Sequence, residues 1–383
     1  MISTILLALQ QGATQAPEAP LSWFAGSAAE KTVKVGGRLQ TDWTFTTGGE
    51  DAEAALGSSF EDGTEIRRAR LGVYGDFATD LAYKLEMDFA GDKNAFTDAF
   101  LEYTGCSWGD VKFGHFKEPF SLDQLTSSRF ITFLERSAAS NAFAPAFNAG
   151  LMMSNGTDQI TWAGGFFRET DDFAKTSNEA WSATGRFVYR PWFADEGKRL
   201  AHLGVAASVR NTDDAYSAKI SPESRLGVDF FKTATLMADT VTLIGLEAAV
   251  QEGPFHGQFE WMTADVSDNG GGAEPGLDGF SIQGGWFITG ESRGYKTSSA
   301  AWDRVKPENA ALGDGGSGAW EVALRYSSVD MQEAGAADDY SAISIALNWY
   351  LNDYTRMMLD VIRPELGPAD DVTVIALRAA FDF

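Results

Sequence analysis

The chain has 383 residues, with 27 Phe, 11 Trp and 10 Tyr, yet its mean hydropathy is only -0.18 and no apolar run reaches the roughly 18 residues of a membrane helix. A formal net charge of -24 excludes a nucleic-acid surface, which needs clustered Lys and Arg along a groove. A single cysteine, Cys106, excludes a disulfide framework and a C-x-x-C metal pair, and His115, His202 and His256 are too few and too scattered to suggest a metal site or a cofactor.

Residues 1–16, MISTILLALQQGATQA, carry a short apolar run followed by small and polar residues. They read as an export signal peptide lacking its positive n-region, or as a disordered tail. Residues 17–31 form an N-terminal segment, and residues 32–383 a single structured domain. From Thr32 the side chains alternate apolar and polar with period two, in stretches of about ten residues. In EIRRARLGVYG, Ala69, Leu71 and Val73 share one face and leave Arg68, Arg70 and Tyr74 on the other. Next, Leu81, Tyr83, Leu85, Met87 and Phe89 oppose Ala82, Lys84, Glu86 and Asp88.

The rhythm breaks at GHFKEPFSLDQLTSSRFITFLER, residues 114–136, where Ser121-Leu-Asp-Gln124 has the S-x-x-Q pattern of a helix capping box. This stretch also gathers Lys117, Arg129 and Arg136 in an acidic chain. It lies in a connection of about thirty residues, a length that is usually functional. Alternation then resumes, with Trp320, Val322, Leu324 and Tyr326 against Glu321, Ala323, Arg325 and Ser327. It continues in Ile343, Ile345, Leu347 and Trp349, and in the closing Ile375, Leu377, Ala379, Phe381 and Phe383 opposite Arg378 and Asp382.

Strands of a soluble sandwich average five or six residues, whereas about ten residues cross a bilayer at a tilt. Tight connections such as Ala78-Thr-Asp80 and Asn352-Asp353 take turns with long acidic, Gly-rich ones such as SDNGGGAEPGLDG. These features predict an all-β fold: a transmembrane antiparallel β-barrel of about 16 strands with an inward-folded constriction loop, in the outer membrane of a Gram-negative bacterium. Trp43, Trp181, Trp192, Trp261, Trp286, Trp349 and Tyr350 near strand ends fit the interfacial girdles. The expected partners outside the barrel are membrane lipid and lipopolysaccharide, whose bridging divalent cations suit the acidic loops. The outward aromatic ending at Phe383 fits the signal read by the barrel-assembly machinery.

Several segments together resemble the phosphate-selective porin O and P family: VGGRLQTDW, EIRRARLGVYG, TDAFLEY, residues 114–136, ITGESRGYK, GAWEVALRYSSVD, ALNWYLN and the ending AAFDF. The resemblance covers about Val35 to Phe383. It implies a 16-stranded, trimeric outer-membrane channel for phosphate or related small anions, lined by a basic ladder and a central lysine. On this sequence the implied lining residues are Arg68, Arg70, Tyr74, Lys84, Lys112, Arg186, Arg325 and Arg378, with Lys117, Arg129 and Arg136 on the inserted loop.

For each cation a second reading stands: it neutralises a lumen carboxylate, since Glu86, Asp88, Asp98, Glu102, Glu247, Glu260, Glu321 and Asp360 fall on the same polar faces. A general, weakly selective porin for small hydrophilic solutes therefore remains the alternative function. A barrel enzyme needs a nucleophile beside a base. His202 has no G-x-S-x-G or comparable site with it, so the expectation is a channel and not an enzyme.

Overall fold

The computed structural model describes residues 31–50, 52–53, 59–91, 95–169, 180–212, 216–220, 223–226, 231–232, 235–267, 275–313, 315–334, 339–365 and 372–383. The possible signal peptide thus lies outside the described residues. The period-two segments form strands β1 (Lys34–Thr47), β2 (Gly63–Ala78), β3 (Leu81–Asp88), β4 (Ala95–Tyr103) and β5 (Asp110–Lys117). They continue with β6 (Phe147–Gly156), β7 (Ile160–Arg168), β8 (Trp181–Ala194) and β9 (Arg199–Asn211). After a short pair, β10 (Lys219–Ile220) and β11 (Phe231–Lys232), come β12 (Thr240–Glu252), β13 (Phe255–Ser267) and β14 (Gly276–Phe287). A second short pair, β15 (Gly294–Lys296) and β16 (Ala301–Asp303), precedes β17 (Ala319–Asp330), β18 (Tyr340–Tyr350), β19 (Thr355–Glu365) and β20 (Thr373–Asp382).

Sixteen strands close an antiparallel barrel in the order β1 to β9, β12 to β14 and β17 to β20. Closure comes from β20 pairing back on β1, Arg38 opposite Asp382, so both ends of the barrel chain lie at the short-turn rim. With no free edge, every wall strand has neighbours on both sides, which is what a chain in hydrocarbon requires. Leu85, Leu324, Ile345, Phe381 and Phe383 are exposed on the outside, while Glu321, Arg325, Ser327 and Ser344 opposite them are buried within. Trp43, Trp181, Trp192 and Trp286 are likewise exposed.

Tyr350 departs from the expected girdle. It follows Trp349 directly, and period two lets only one of two consecutive residues face lipid. Trp349 stacks on Trp320 with ring centroids 5.1 Å apart, while the Tyr350 hydroxyl, inside, donates to Glu321 Oε2 at 2.7 Å.

Residues 118–146 fold into the lumen and carry two short helices, α1 (Leu122–Leu125) and α2 (Ala138–Phe143). The Ser121 hydroxyl caps α1 by accepting from the Gln124 N–H at 3.0 Å, and Ser137 caps α2 in the same way through Ser140. The inner wall under this loop is apolar where an ordinary lumen would be polar. Phe120, Ala138, Ala139 and Phe143 pack in one cluster with Leu243, Met262, Leu277 and Val329, and Phe133 packs on Ala323 and Ala346. Burial of that surface holds the loop down.

The alternation of short and long connections has one exception. Residues 288–318 join β14 to β17 at the short-turn rim, yet this connection is long and its β15–β16 hairpin enters the lumen from that end.

Candidate functional site: a basic passage between two inserted segments

A backbone that runs through a barrel without a strand partner must find hydrogen bonds elsewhere. Residues 130–135 find them on the wall and, at Phe130, on Arg293 of the 288–318 connection. The carbonyls of Phe130, Ile131, Thr132 and Glu135 accept from Arg293 (2.8 Å), Arg356 (2.8 Å), Asn348 (2.8 Å) and Arg325 (2.9 Å), and that of Leu134 accepts from Arg378. The Leu134 N–H donates to Asp360 Oδ2 at 2.8 Å.

Glu135 is the hub of this clamp. Its carboxylate accepts from Arg67 Nε at 2.8 Å, Arg68 Nη2 at 3.3 Å and Arg378 Nη2 at 2.7 Å. Burial opposes its ionisation, but Arg67, Arg68 and Arg378 outweigh that and hold it well below the usual carboxylate range. Arg67 and Arg68 are consecutive, and both reach inward because the β1–β2 register shifts after Gln40, leaving Arg67 as the extra residue of a bulge.

At the head of the loop, Glu118 accepts from Asn148 Nδ2 at 2.6 Å and Arg210 Nη1 at 2.9 Å. Glu223, from the connection between β9 and β12, accepts from the Ala138 N–H at 2.9 Å and from Arg325 Nε at 3.0 Å. The hairpin from the other rim is tied as firmly. The Tyr295 hydroxyl and His202 Nδ1 lie 2.7 Å apart, Trp302 Nε1 donates to Gln258 at 2.8 Å, and Arg186 donates to the carbonyls of Ser299 (3.0 Å) and Ala300 (2.8 Å).

These segments fill the lumen along β8, β9, β12–β14 and β17–β20. An open chamber of about 490 Å³ remains along β1–β8. Its lining holds ten basic residues, Arg38, Arg68, Arg70, Lys84, Lys112, Lys117, Arg129, Arg136, Arg186 and Lys296, against three acidic ones, Asp98, Glu102 and Asp110.

Most of the cations are already paired. Arg38 meets Glu86 at 2.8 Å, Arg70 meets Asp88 at 2.7 Å, Lys84 meets Asp98 at 2.5 Å, Lys112 meets Glu102 at 3.0 Å, and Arg186 meets Glu247 at 2.5 Å. Arg129 stands farther off, 3.7 Å from Glu86 and 3.8 Å from Asp382.

Lys117 and Arg136 differ from all of these. Among the described residues neither has a carboxylate within ion-pair distance, and both donate to one oxygen, the Gln124 carbonyl near the end of α1. Arg136 also donates to the carbonyls of Asp123 (2.9 Å) and Thr126 (2.8 Å), so its guanidinium caps the helix. Burial lowers its pKa from the usual arginine value, and the nearby carboxylates of Asp123 and Glu135 offset that only in part.

The family model of the phosphate-selective porin O and P family matches residues 33–383. The chain belongs to that family. It is 28% identical over 377 residues to Porin O of Pseudomonas aeruginosa, a match covering 86% of this chain and 82% of that one. A protein of Caulobacter vibrioides is 30% identical over 357 residues, covering 87% and 69% respectively. Among solved structures, an anion-selective porin from Comamonas acidovorans has a TM-score of 0.58 at 14% identity, covering 92% of this chain and 100% of that one. The trimer form of OmpT from Vibrio cholerae has a TM-score of 0.56 at 13% identity, covering 93% and 100%. The chain is therefore a β-barrel porin of the Gram-negative outer membrane.

In this porin, Arg68, Arg70, Lys84, Lys112, Lys117, Arg129, Arg136 and Arg186 all border the chamber. Three residues named from sequence do not. Arg325 and Arg378 do face inward, but the inserted loop covers them, and they serve as its clamps. Tyr74 lies further along β2, opposite Lys34, with its ring over Gly36 and away from the chamber. Arg38, Arg67, Glu135 and Lys296 were not among the expected residues. Alternation with Leu39 already placed Arg38 inward, whereas a bulge such as that at Arg67 leaves no mark in a period-two pattern.

Proposed function

We propose that this porin is a channel for passive diffusion of small anions, phosphate or related oxyanions, with Lys117 and Arg136 as the seat that draws them in. The observation that carries this is the pair of cations sharing the Gln124 carbonyl, neither with a carboxylate within ion-pair distance among the described residues. An ammonium and a guanidinium so placed offer spare donors, not tied up in an ion pair, to an oxyanion. The paired cations around the chamber attract more weakly, and passage needs contacts that admit an ion and then release it. Arg68, Arg70, Lys84, Lys112, Arg129 and Arg186 supply such flanking contacts. The overall charge of -24 does not oppose this, because charges beyond a Debye length of roughly 10 Å at 0.1 M salt are screened.

The family and the anion-selective Comamonas porin support an anion channel, not an enzyme. Porin O, by its family, supports phosphate. The trimeric OmpT supports a homotrimer. Assembly through the outward Phe383, contacts with lipopolysaccharide, and an export signal within residues 1–16 complete the proposal. The test is phosphate block of chloride current through the protein in planar bilayers. Block at concentrations where sulfate leaves the current unchanged supports the reading, and its absence refutes phosphate as the solute. A weakly selective porin is the second reading, favoured by the close pairing of Arg38, Arg70, Lys84, Lys112 and Arg186 with carboxylates.

A further inference from the structure

Inward positions of a water-filled barrel are polar. Along β12–β20 this porin breaks that rule where a loop lies on the wall, and the loop's own side chains complete the apolar clusters there. On β4–β7 the rule is broken with no such cover. Phe100, Phe116, Met152 and Ala163 project inward on four consecutive strands and cluster with Phe167, every member coming from the wall itself. Phe100, Phe116, Met152 and Ala163 border the open chamber, as does Phe147. Cations stand at this apolar stripe: Lys112 Nζ is 4.5 Å from the Phe100 ring centroid, and Lys117 Nζ is 5.6 Å from that of Phe147.

An apolar surface beside fixed cations in a chamber of about 490 Å³ is the composition of a site for an amphipathic anion. A hydrated inorganic ion gains nothing from it. We propose, building on the anion-channel reading above, that the chamber takes organic anions bearing a compact apolar or aromatic group. The acid group sits on Lys117 and the apolar group lies against Phe100 and Phe147. Aromatic faces favour such a ring by edge or offset packing beyond the area it buries.

The test compares phenylphosphate with inorganic phosphate as blockers of chloride current in planar bilayers, since the two share a headgroup. Phenylphosphate is expected to reach half-block at a concentration about fivefold lower, from the apolar area its ring buries. In Phe100→Ser, and independently in Phe147→Ser, the two blockers should become equal while inorganic phosphate block is unchanged. Equal or weaker block by phenylphosphate in the wild-type protein overturns this inference without touching the anion-channel reading. So does a preference that survives both substitutions. Loss of block by both compounds in the wild-type protein would instead overturn the parent reading.

Discussion

Replacing Lys117 by Gln removes a chamber cation that has no carboxylate within ion-pair distance among the described residues and leaves a side chain that can still donate to the Gln124 carbonyl. An oxyanion in contact with the ammonium sits about 4 Å away, where the Coulomb attraction is about 1 kcal/mol in bulk water and about 4 kcal/mol at the effective dielectric of a protein surface. The chamber is open and wet, so the lower part of that range applies. A loss of about 1.4 kcal/mol is tenfold. Lys117→Gln should therefore raise the half-blocking phosphate concentration about tenfold and move the reversal potential in a KCl gradient toward zero. Lys117→Arg should keep both near wild type. Phosphate block unchanged in Lys117→Gln would refute the assignment of the seat and leave the weakly selective porin as the better reading.

Arg68→Gln with Arg70→Gln should shift the reversal potential less than Lys117→Gln does, because Glu135 and Asp88 already neutralise those arginines; reversal potentials of the two variants side by side check the order. Glu135→Gln leaves Arg67, Arg68 and Arg378 without their shared carboxylate, a buried-partner loss of about 3–5 kcal/mol. It should loosen the loop and raise single-channel current noise while the barrel still forms. Because Glu135 is depressed in the folded protein, its contribution is present above the unfolded carboxylate pKa and lost only as pH falls through the lowered value. The noise difference between wild type and Glu135→Gln should hold from neutral pH through the ordinary carboxylate range and vanish only below it; its disappearance at pH 6 would contradict the clamp. Deleting residues 294–303 opens the short-turn rim and should increase single-channel conductance, read directly from step size.

The wall was legible because lipid on one side and water on the other impose period two, and the inserted loop was legible through Ser121 and its length. What escaped the sequence arose where two parts of the chain meet. Arg325 and Arg378 occupy inward positions like those of Arg70 and Lys84, and only the path of residues 130–135 makes them clamps. The bulge at Arg67 is fixed by pairing with β1, and the same residue becomes intelligible only with Glu135 beside it. The hairpin within residues 288–318 lay in a segment whose length was visible, but a long connection at the short-turn rim had no pattern to mark it as inward. Lys117 and Arg136 are set apart by the Gln124 carbonyl they share, a property of the folded lumen alone.

The central claim, that the chamber favours anions, is tested most directly by the reversal potential of the wild-type protein in a tenfold KCl gradient across a planar bilayer. The excess of basic over acidic residues lining the chamber, with Lys117 and Arg136 outside any ion pair among the described residues, predicts a potential with the sign of the chloride equilibrium potential. A potential near zero, or one with the sign of potassium, would contradict it.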